Sequence, residues 1–188
     1  MKILVLIAHP DLRHSRVNRY WEQYLRQHPD ITVHNLYAAY PDGIIDHVRE
    51  REMLFNHDRI VFQFPLYWFS APALLKKWQD EVLASLWSET EGKQLSGKDL
   101  ILAISTGAPQ SSYGPDGFNH FTLEELMRPY QAMANMNGLN FLPMFSFYHA
   151  LQATDTEIFL SAQEYVKHIT NPHLKPLHPR STVTASAD

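Results

Sequence analysis

Residues 59–76 read RIVFQFPLYWFSAPALLK and predict a strand, a short loop and the start of a helix. The strand covers residues 59–64, and Pro72 suits the first turn of the helix, because a proline there loses no hydrogen bond. Loops between strands and helices are usually polar, since they lie in water. This loop instead carries three consecutive aromatic residues, at positions 67–69. Such a loop is expected where a flat, apolar ligand lies against the protein, and a flavin ring is a ligand of that kind.

The composition predicts one soluble, globular domain. Of the 188 residues, 45% are hydrophobic and 19% are charged, which suits a chain with a core and not a disordered one. The net charge of −4 argues against a nucleic-acid-binding surface. The absence of cysteine excludes disulfides, thiolate metal sites and thiol nucleophiles, and it fits a reducing cytosol. The 11 histidines show no ligand spacing with a nearby carboxylate, so no metal site is predicted.

The first eight residues form an apolar run that could be taken for a signal sequence. The run is short and leads into His9-Pro10-Asp11 instead of a cleavage site. No stretch reaches the roughly 18 apolar residues that are needed to span a bilayer. We therefore predict that this run is a buried first strand and that the protein is cytoplasmic.

Strands and helices alternate along the chain. Strands are predicted at residues 2–8, 31–36, 59–64, 99–105 and 140–148. Helices are predicted at residues 15–28, 48–55, 72–86, 123–137 and 155–169. This alternation predicts a three-layer α/β protein of the flavodoxin-like fold, with a five-stranded parallel sheet of order 2-1-3-4-5 and helices on both faces. The domain is expected to cover residues 1–170, and a flexible, proline-containing tail is expected at residues 171–188.

In an open parallel sheet, ligands bind beyond the carboxyl ends of the strands, near the point where the strand order reverses. The first, third and fourth predicted strands meet at that point. The loops that follow them, at residues 8–15, 65–71 and 106–117, are therefore expected to converge on one site.

Each of the three loops allows two interpretations by itself. Ser15 opens a helix whose free N–H groups attract anions, with Arg13 and Arg16 nearby, but it could equally be a plain helix cap. The glycine-rich dinucleotide fingerprint and the P-loop lysine motif are both absent. The aromatic loop could face a ligand ring, or it could pack into the core or a dimer contact. In the third loop, Gly107 permits close approach of the backbone and Tyr113 carries a phenol that can donate a proton, although a simple glycine–proline turn would look the same.

Several motifs taken together resemble a known family. They are Ala8-His9-Pro10, Ser15-x-x-Asn18, Phe64-Pro65-Leu66-x-Trp68-Phe69-Ser70-x-Pro72 and Ser105-Thr106-Gly107. This set resembles the flavodoxin-like NAD(P)H quinone oxidoreductases, the family of DT-diaphorase, over residues 1–169. Phe121-Thr122-x-x-Glu125 and Leu142-Pro143-x-Phe145 are similar to the short bacterial branch. That branch includes drug-activity modulators, general-stress proteins and ancillary subunits of glutathione-gated potassium efflux systems.

The resemblance implies a flavin site that is built from all three loops. The first loop would hold the flavin phosphate and ribityl chain, the aromatic loop would flank the ring, and the third loop would contact the edge of the ring. The implied cofactor-binding residues are His9, Ser15, Arg16, Val17, Asn18, Pro65, Leu66, Tyr67, Trp68, Phe69, Ser105, Thr106, Gly107, Ala108 and Tyr113. Tyr113 matches the family's tyrosine beside the ring, and Asn119, followed by His120, stands where the family has the histidine partner. These three are the candidate catalytic residues.

The function that the resemblance implies is that of an FMN-dependent NAD(P)H:quinone oxidoreductase with two-electron, ping-pong hydride transfer. FMN is expected instead of FAD, because the C-terminal extension of the long members is missing. A homodimer with the active site at its interface is expected as well. The choice between NADH and NADPH stays open, as does the choice among quinone, nitroaromatic and azo acceptors. The acidic segment Ser88-Glu89-Thr90-Glu91 replaces a glycine-rich segment of many relatives and could alter the substrate pocket or a partner surface.

Two alternatives remain. The chain could be a regulatory ancillary subunit of a glutathione-gated potassium efflux system, bound peripherally at the inner face of the membrane. It could also be a one-electron carrier such as flavodoxin. The carrier is less favoured, because no threonine-rich phosphate loop follows the first strand and the chain is not strongly acidic.

Overall fold

The structure, a computed structural model, describes residues 1–87 and 90–178. Its strands are β1 (Ile3–Ile7), β2 (Ile31–Asn35), β3 (Arg59–Pro65), β4 (Asp99–Ser105), β5 (Asn140–Phe141) and β6 (Phe145–Phe147). All neighbouring strands are parallel, and their order is β2-β1-β3-β4-β5, with β6 also paired to β4. The predicted flavodoxin-like fold is confirmed, although the sheet contains six strands where five were predicted.

The additional strand arises because the last predicted strand is divided in two. β5 pairs with the start of β4 and β6 pairs with its end, and Pro143 lies between the two short strands. Proline has no N–H to donate to the ladder, so one regular strand over residues 140–148 is not expected to form. Both short strands extend the same edge of the sheet, and Phe147 of β6 lies beside Ser105 of β4.

Helices cover both faces of the sheet. They are α1 (Arg16–Leu25), α2 (Leu36–Ala39), α3 (His47–Phe55), α4 (Ala73–Trp78), α5 (Ala84–Trp87), α6 (Leu123–Leu126), α7 (Arg128–Met136) and α8 (Asp155–Thr170). The predicted helix over residues 72–86 is α4 and α5, which a π-helical segment, Gln79–Leu83, joins. Side chains of β1 alternate between the two faces. Val5 packs in the cluster that contains Trp21 of α1 and Tyr165 of α8, whereas Leu4 packs in the cluster that contains Trp78 of α4.

The chain beyond α8 stays at the edge of the sheet through the described residues. Arg59 Nη1 donates to the carbonyl oxygen of Asn171 at 3.0 Å, and the N–H of Leu177 donates to the carbonyl oxygen of Phe141 at 2.9 Å. Residues 179–188 of the predicted tail lie outside the described residues, as do positions 88 and 89 of the acidic segment. Among the described helices, none is long and apolar enough to cross a membrane.

Candidate functional site

The carboxyl ends of β1, β3 and β4 border a cavity of about 470 Å³, a volume typical of small-molecule sites. Eleven of the fifteen predicted cofactor-binding residues line it: His9, Ser15, Arg16, Val17, Asn18, Pro65, Leu66, Tyr67, Ser105, Thr106 and Gly107. The other four, Trp68, Phe69, Ala108 and Tyr113, do not line this cavity. All three predicted loops therefore contribute to one site, as the sheet topology requires.

One end of the cavity is the start of α1. Ser15 caps this helix, since its Oγ accepts a hydrogen bond from the N–H of Asn18 at 3.2 Å. The first N–H groups of α1 are free of intrahelical partners, which makes this end favourable for an anion. The guanidinium group of Arg16 is paired with Asp155 at 2.7 Å on the rim. Capping and anion binding are thus compatible at this position.

His9 lies at the same end and is buried. Its Nδ1 accepts a hydrogen bond from the N–H of Asp11 at 3.1 Å, which places the ring proton on Nε2 in the neutral form. Burial lowers the pKa of His9 below its ordinary value of 6.5, and the nearby Asp11 opposes that shift only partly. His9 is therefore neutral at pH 7 in the ligand-free protein, and it offers an N–H donor instead of a full positive charge.

The floor of the cavity is a buried polar network that joins three elements. Asn18 Nδ2 of α1 donates to Ser105 Oγ of β4 at 2.8 Å. Gln63 Nε2 of β3 donates to the backbone oxygen of Asn18 at 3.2 Å and to its Oδ1 at 3.3 Å. The sequence analysis did not single out Gln63. A signal was present, because it is the one polar residue within residues 60–65, the apolar part of β3.

The aromatic loop forms a tight turn. The N–H of Tyr67 donates to the carbonyl oxygen of Ser70 at 2.9 Å, and the reverse hydrogen bond measures 3.0 Å. The two central residues both have positive φ, 48° for Trp68 and 64° for Phe69. Glycine and asparagine normally occupy such positions, and the left-handed conformation costs other residues about 1–2 kcal/mol each. A strained turn made of bulky aromatic residues is a feature of functional sites.

Only the first of the three aromatic residues faces the cavity. The ring of Tyr67 lies edge-on to the ring of His9, with 6.2 Å between centroids. Trp68 is 94% exposed and Phe69 is 46% exposed. Phe69 lines a second groove, of about 460 Å³, between α4 and α7.

The third loop pairs with the segment that follows β6. The N–H of His149 donates to the carbonyl oxygen of Ala108 at 3.0 Å, and the N–H of Ala150 donates to that of Thr106 at 2.8 Å. This pairing brings Ala150 and Leu151 into the cavity wall, which no sequence motif had indicated. Asp11 and His14 also line the cavity in addition to the predicted set.

The three candidate catalytic residues share one loop. The ring of Tyr113 lies 5.6 Å from the ring of Tyr148, measured between centroids. The N–H of Asn119 donates to the carbonyl oxygen of Ser112 at 2.9 Å, and His120 is exposed with a φ of 59°. In the part of the chain that the structure describes, no hydrogen bond joins the side chain of Tyr113 to Asn119 or His120. Within the same part, no cluster of three metal-ligating side chains is found.

A family described by its flavodoxin-like fold matches residues 1–169 of this chain. The similar proteins include the NAD(P)H oxidoreductase YdeQ of Bacillus subtilis, which is 48% identical over 177 residues, 94% of this chain and 90% of that protein. They also include KefG of Cronobacter sakazakii, an ancillary protein of a glutathione-regulated potassium-efflux system. KefG is 41% identical over 172 residues, 91% of this chain and 94% of that protein.

Solved structures of the same fold bear several functional names. General stress protein 14 of Treponema denticola, in complex with FMN, is 40% identical with a TM-score of 0.85 and covers 90% of this chain and 98% of that one. An NADPH-quinone reductase from P. pentosaceus is 31% identical with a TM-score of 0.83, and the match covers 91% of this chain and 99% of that one. A chain named as a thermophilic tryptophan halogenase is 44% identical with a TM-score of 0.86, and the match covers 89% of this chain and 98% of that one. Because one fold carries different names, the reaction has to be argued from the site.

Proposed function

This chain belongs to the family with the flavodoxin-like fold, and from that premise we propose that it is an FMN-dependent NAD(P)H:quinone oxidoreductase. The observation that carries the proposal is the cavity at the carboxyl ends of β1, β3 and β4. It has an anion-binding helix start at one end, hydroxyl and amide groups on its floor, and Pro65, Leu66 and Tyr67 along one side. FMN has the matching sequence of parts: a phosphate, a polyhydroxyl chain and a flat ring. Similarity to an FMN complex at 40% identity supports the same cofactor.

Each part of the cofactor has residues suited to hold it. The phosphate is assigned to the start of α1, where Ser15, the N–H groups of Arg16 and Val17, and His9 Nε2 are hydrogen-bond donors. The ribityl hydroxyls are assigned to Asn18 and Ser105. The ring is assigned to the space between residues 65–67 and the backbone of residues 106–108. When bound, FMN supplies the hydride-transfer chemistry, and the protein orients it and excludes water.

Tyr113 does not line the cavity itself but lies on the loop that continues from its wall at Thr106 and Gly107, and it is the proposed proton-holding group for the ring. Its phenol Oη would donate a hydrogen bond to the ring edge, where negative charge develops during hydride transfer. Asn119 and His120 follow on the same loop and are proposed to support this tyrosine, with Asn119 as a neutral hydrogen-bonding partner. The histidine that the family has at the Asn119 position is absent, so proton exchange with solvent falls to the exposed His120.

A second copy of the chain is proposed to complete the site. Several large apolar residues are exposed. Leu151 lines the cavity, and Phe69 and Met136 line the groove between α4 and α7. Trp68 lies in the loop after β3, and Phe118 and Phe121 lie in the loop after β4. Exposed large apolar residues near a ligand site are typical of protein interfaces. Covering them would form a dry compartment in which a nicotinamide and then a quinone-like acceptor meet the flavin. NADH or NADPH is the proposed donor, and the proposed location is the cytoplasm.

A role as an ancillary subunit of a potassium efflux system is the second candidate. Its support is the 41% identity to KefG over 91% of this chain. Such a subunit would bind a membrane transporter from the inner face of the membrane, and it would need the flavin site only secondarily.

One experiment separates the two functions. The purified protein is mixed with FMN, reduced anaerobically with NADH or NADPH, and then given a quinone while its visible spectrum is recorded. The reductase predicts bleaching by the nicotinamide and recovery with the quinone, and the faster nucleotide identifies the donor. Flavin binding without turnover would favour the ancillary subunit, and a failure to bind FMN would overturn the cofactor assignment.

A further inference from the structure

Gln63 is a polar side chain in the middle of a hydrophobic sheet. It lies in register with Ile7 of β1 and Ala103 of β4, and its exposed fraction is 0%. Burying an amide costs free energy unless its hydrogen bonds are made. Its Oε1 has no hydrogen-bond partner among the described residues, so that cost is only partly offset. An unsatisfied buried group in a native core calls for an explanation, and the contacts of the other end of this amide offer one.

The donor side of this amide holds Asn18 in one orientation. Gln63 Nε2 reaches both the backbone oxygen and the Oδ1 of Asn18, at 3.2 Å and 3.3 Å. Because Oδ1 faces Gln63, the amide group of Asn18 has to direct its Nδ2 the other way. Nδ2 is found 2.8 Å from Ser105 Oγ and 3.5 Å from Ser15 Oγ.

Ser105 stands at the end of this chain of hydrogen bonds and lines the cavity. Its Oγ accepts from Asn18, so its own proton is not used in that bond. Within the described residues, the structure contains no hydrogen bond in which Ser105 Oγ is the donor. The hydroxyl is therefore left to donate to a ligand in the cavity.

We propose that Gln63 is a positioning residue that fixes the direction of these hydrogen bonds, so that Ser105 meets the flavin as a donor. The direction runs from Gln63 to Asn18, from Asn18 to Ser105, and from Ser105 to an acceptor atom of the cofactor. This inference deepens the proposed function and rests on it, because it concerns the same flavin site. Gln63 itself does not line the cavity and acts through Asn18.

Two substitutions at position 63 change the network in different ways. Gln63→Met has a similar length and makes no hydrogen bond, so Asn18 loses its fixed orientation. Gln63→Glu is isosteric, and at this buried position its neutral carboxyl keeps one hydroxyl donor. Once the carboxyl is ionised at higher pH, it only accepts hydrogen bonds, so Asn18 Nδ2 would turn toward position 63 and its Oδ1 toward Ser105. Ser105 would then donate to Asn18 and present only lone pairs to the cavity, which reverses the direction of the network.

The test is a double-substitution cycle that measures the Kd of FMN by quenching of flavin fluorescence. The proteins are the unmodified chain, Gln63→Met, Gln63→Glu, Ser105→Ala and each combination of a position-63 change with Ser105→Ala. We expect Gln63→Met to weaken FMN binding about 3- to 10-fold, the equivalent of one hydrogen bond. Gln63→Glu should weaken binding by about tenfold or more in the pH range where its carboxyl is ionised. Riboflavin, which lacks the phosphate, is titrated in parallel so that repulsion between a carboxylate and the phosphate is excluded.

The decisive result is the effect of the position-63 changes when Ser105 is alanine. If Gln63 acts through Ser105, neither change should weaken binding further by more than about twofold in that background. An undiminished effect there would overturn the inference, and so would normal FMN binding by a folded Gln63→Met protein. Thermal unfolding of the flavin-free proteins identifies variants that fail to fold, and Gln63→Met remains informative if Gln63→Glu does not fold. If the unmodified chain fails to bind FMN, the proposed function falls together with the inference. If it binds FMN but the position-63 changes weaken binding equally with and without Ser105, only the inference falls.

Discussion

Trp68 and Phe69 occupy the two central positions of one tight turn, and both have positive φ, 48° and 64°. The turn is closed by the reciprocal hydrogen bonds between Tyr67 and Ser70, and Trp68 gains almost nothing from burial, since it is 94% exposed. Local stability therefore does not explain why aromatic residues stand here in place of glycine. Their position beside the cavity mouth suggests that the side chains are retained for function at a cost in stability.

Replacing Trp68 should separate the strain from the function. Trp68→Gly removes both the ring and the strain, whereas Trp68→Ala removes the ring and keeps a Cβ in the left-handed conformation. We expect the glycine variant to be about 1 kcal/mol more stable than the alanine variant in urea unfolding of the flavin-free protein. Quinone reduction should fall equally in both. Equal stability of the two variants would show that the turn is not strained.

The helix cap at Ser15 should have a double role. Ser15→Ala is expected to cost about 1 kcal/mol of stability through loss of the cap and to weaken FMN binding about tenfold, with a smaller effect on riboflavin. Thr154→Ala is the matched control, because Thr154 caps α8 through the N–H of Glu157 at 3.2 Å and is not part of the cavity lining. It should lose similar stability and keep its flavin affinity. Equal losses of FMN and riboflavin affinity in Ser15→Ala would contradict the phosphate assignment.

Glu50 should make the fold sensitive to acid. Its fully buried carboxylate lies 2.7 Å from His34 Nε2 and accepts hydrogen bonds from Trp78 Nε1, at 2.7 Å, and from the Tyr40 hydroxyl. Burial by itself would raise the pKa of Glu50, but these hydrogen bonds outweigh it and hold the pKa below the ordinary value of 4.5. Because the folded-state pKa is the lower one, the stabilisation is present above about pH 4.5 and is lost as the pH falls through the folded-state pKa.

The corresponding experiment is urea unfolding of Glu50→Gln and of the unmodified protein between pH 3.5 and 7, a range that includes the ordinary glutamate pKa of 4.5. We expect the free energy of unfolding to fall by about 2–4 kcal/mol at pH 7, because the amide cannot satisfy all three donors. The free energy of unfolding should also depend less on pH, because the amide does not titrate. Glu164→Gln is the control: Glu164 lies on the surface, 3.6 Å from Lys167, and surface pairs contribute little. If the free energy of unfolding of Glu50→Gln keeps the pH dependence of the unmodified protein, Glu50 is not the cause of the acid sensitivity.

If the proposed dimer forms, a charge introduced at one of two exposed apolar residues should disrupt it, and a charge at the other should not. Met136 lies in the groove between α4 and α7 and is 60% exposed, whereas Leu160 lies on α8 and is 51% exposed. Met136→Glu should shift the protein toward the monomer in light scattering and lower quinone reduction, because it places a charge in the proposed interface. Leu160→Glu should change neither. Dissociation by Leu160→Glu alone would move the interface to the other face.

The sequence predicted the layers of the fold and most of the cavity lining. Continuous apolar runs and helical spacing are local signals, and the topology of parallel sheets determines which loops meet. The prediction of one final strand was wrong. It followed the apolar run at residues 140–148 and neglected Pro143, which divides that run into β5 and β6. The wall formed by Ala150 and Leu151 was missed because it depends on hydrogen bonds between the loop at residues 106–108 and the segment after β6, which leave no local motif.

By itself, the amino-acid sequence determined the α/β class, the strand order and the three loops of the site. The class follows from periodicity, which is a local signal, and the strand order and the meeting of the loops follow from the common topology of chains in which strands and helices alternate. Only the tertiary structure decided which polar atoms meet. Gln63 and Asn18 are 45 residues apart in sequence, and Asn18 and Ser105 are 87 apart, yet all three share one buried network. Hydrogen bonds act over about 3 Å and depend on direction, so their partners are settled only when distant elements are packed together.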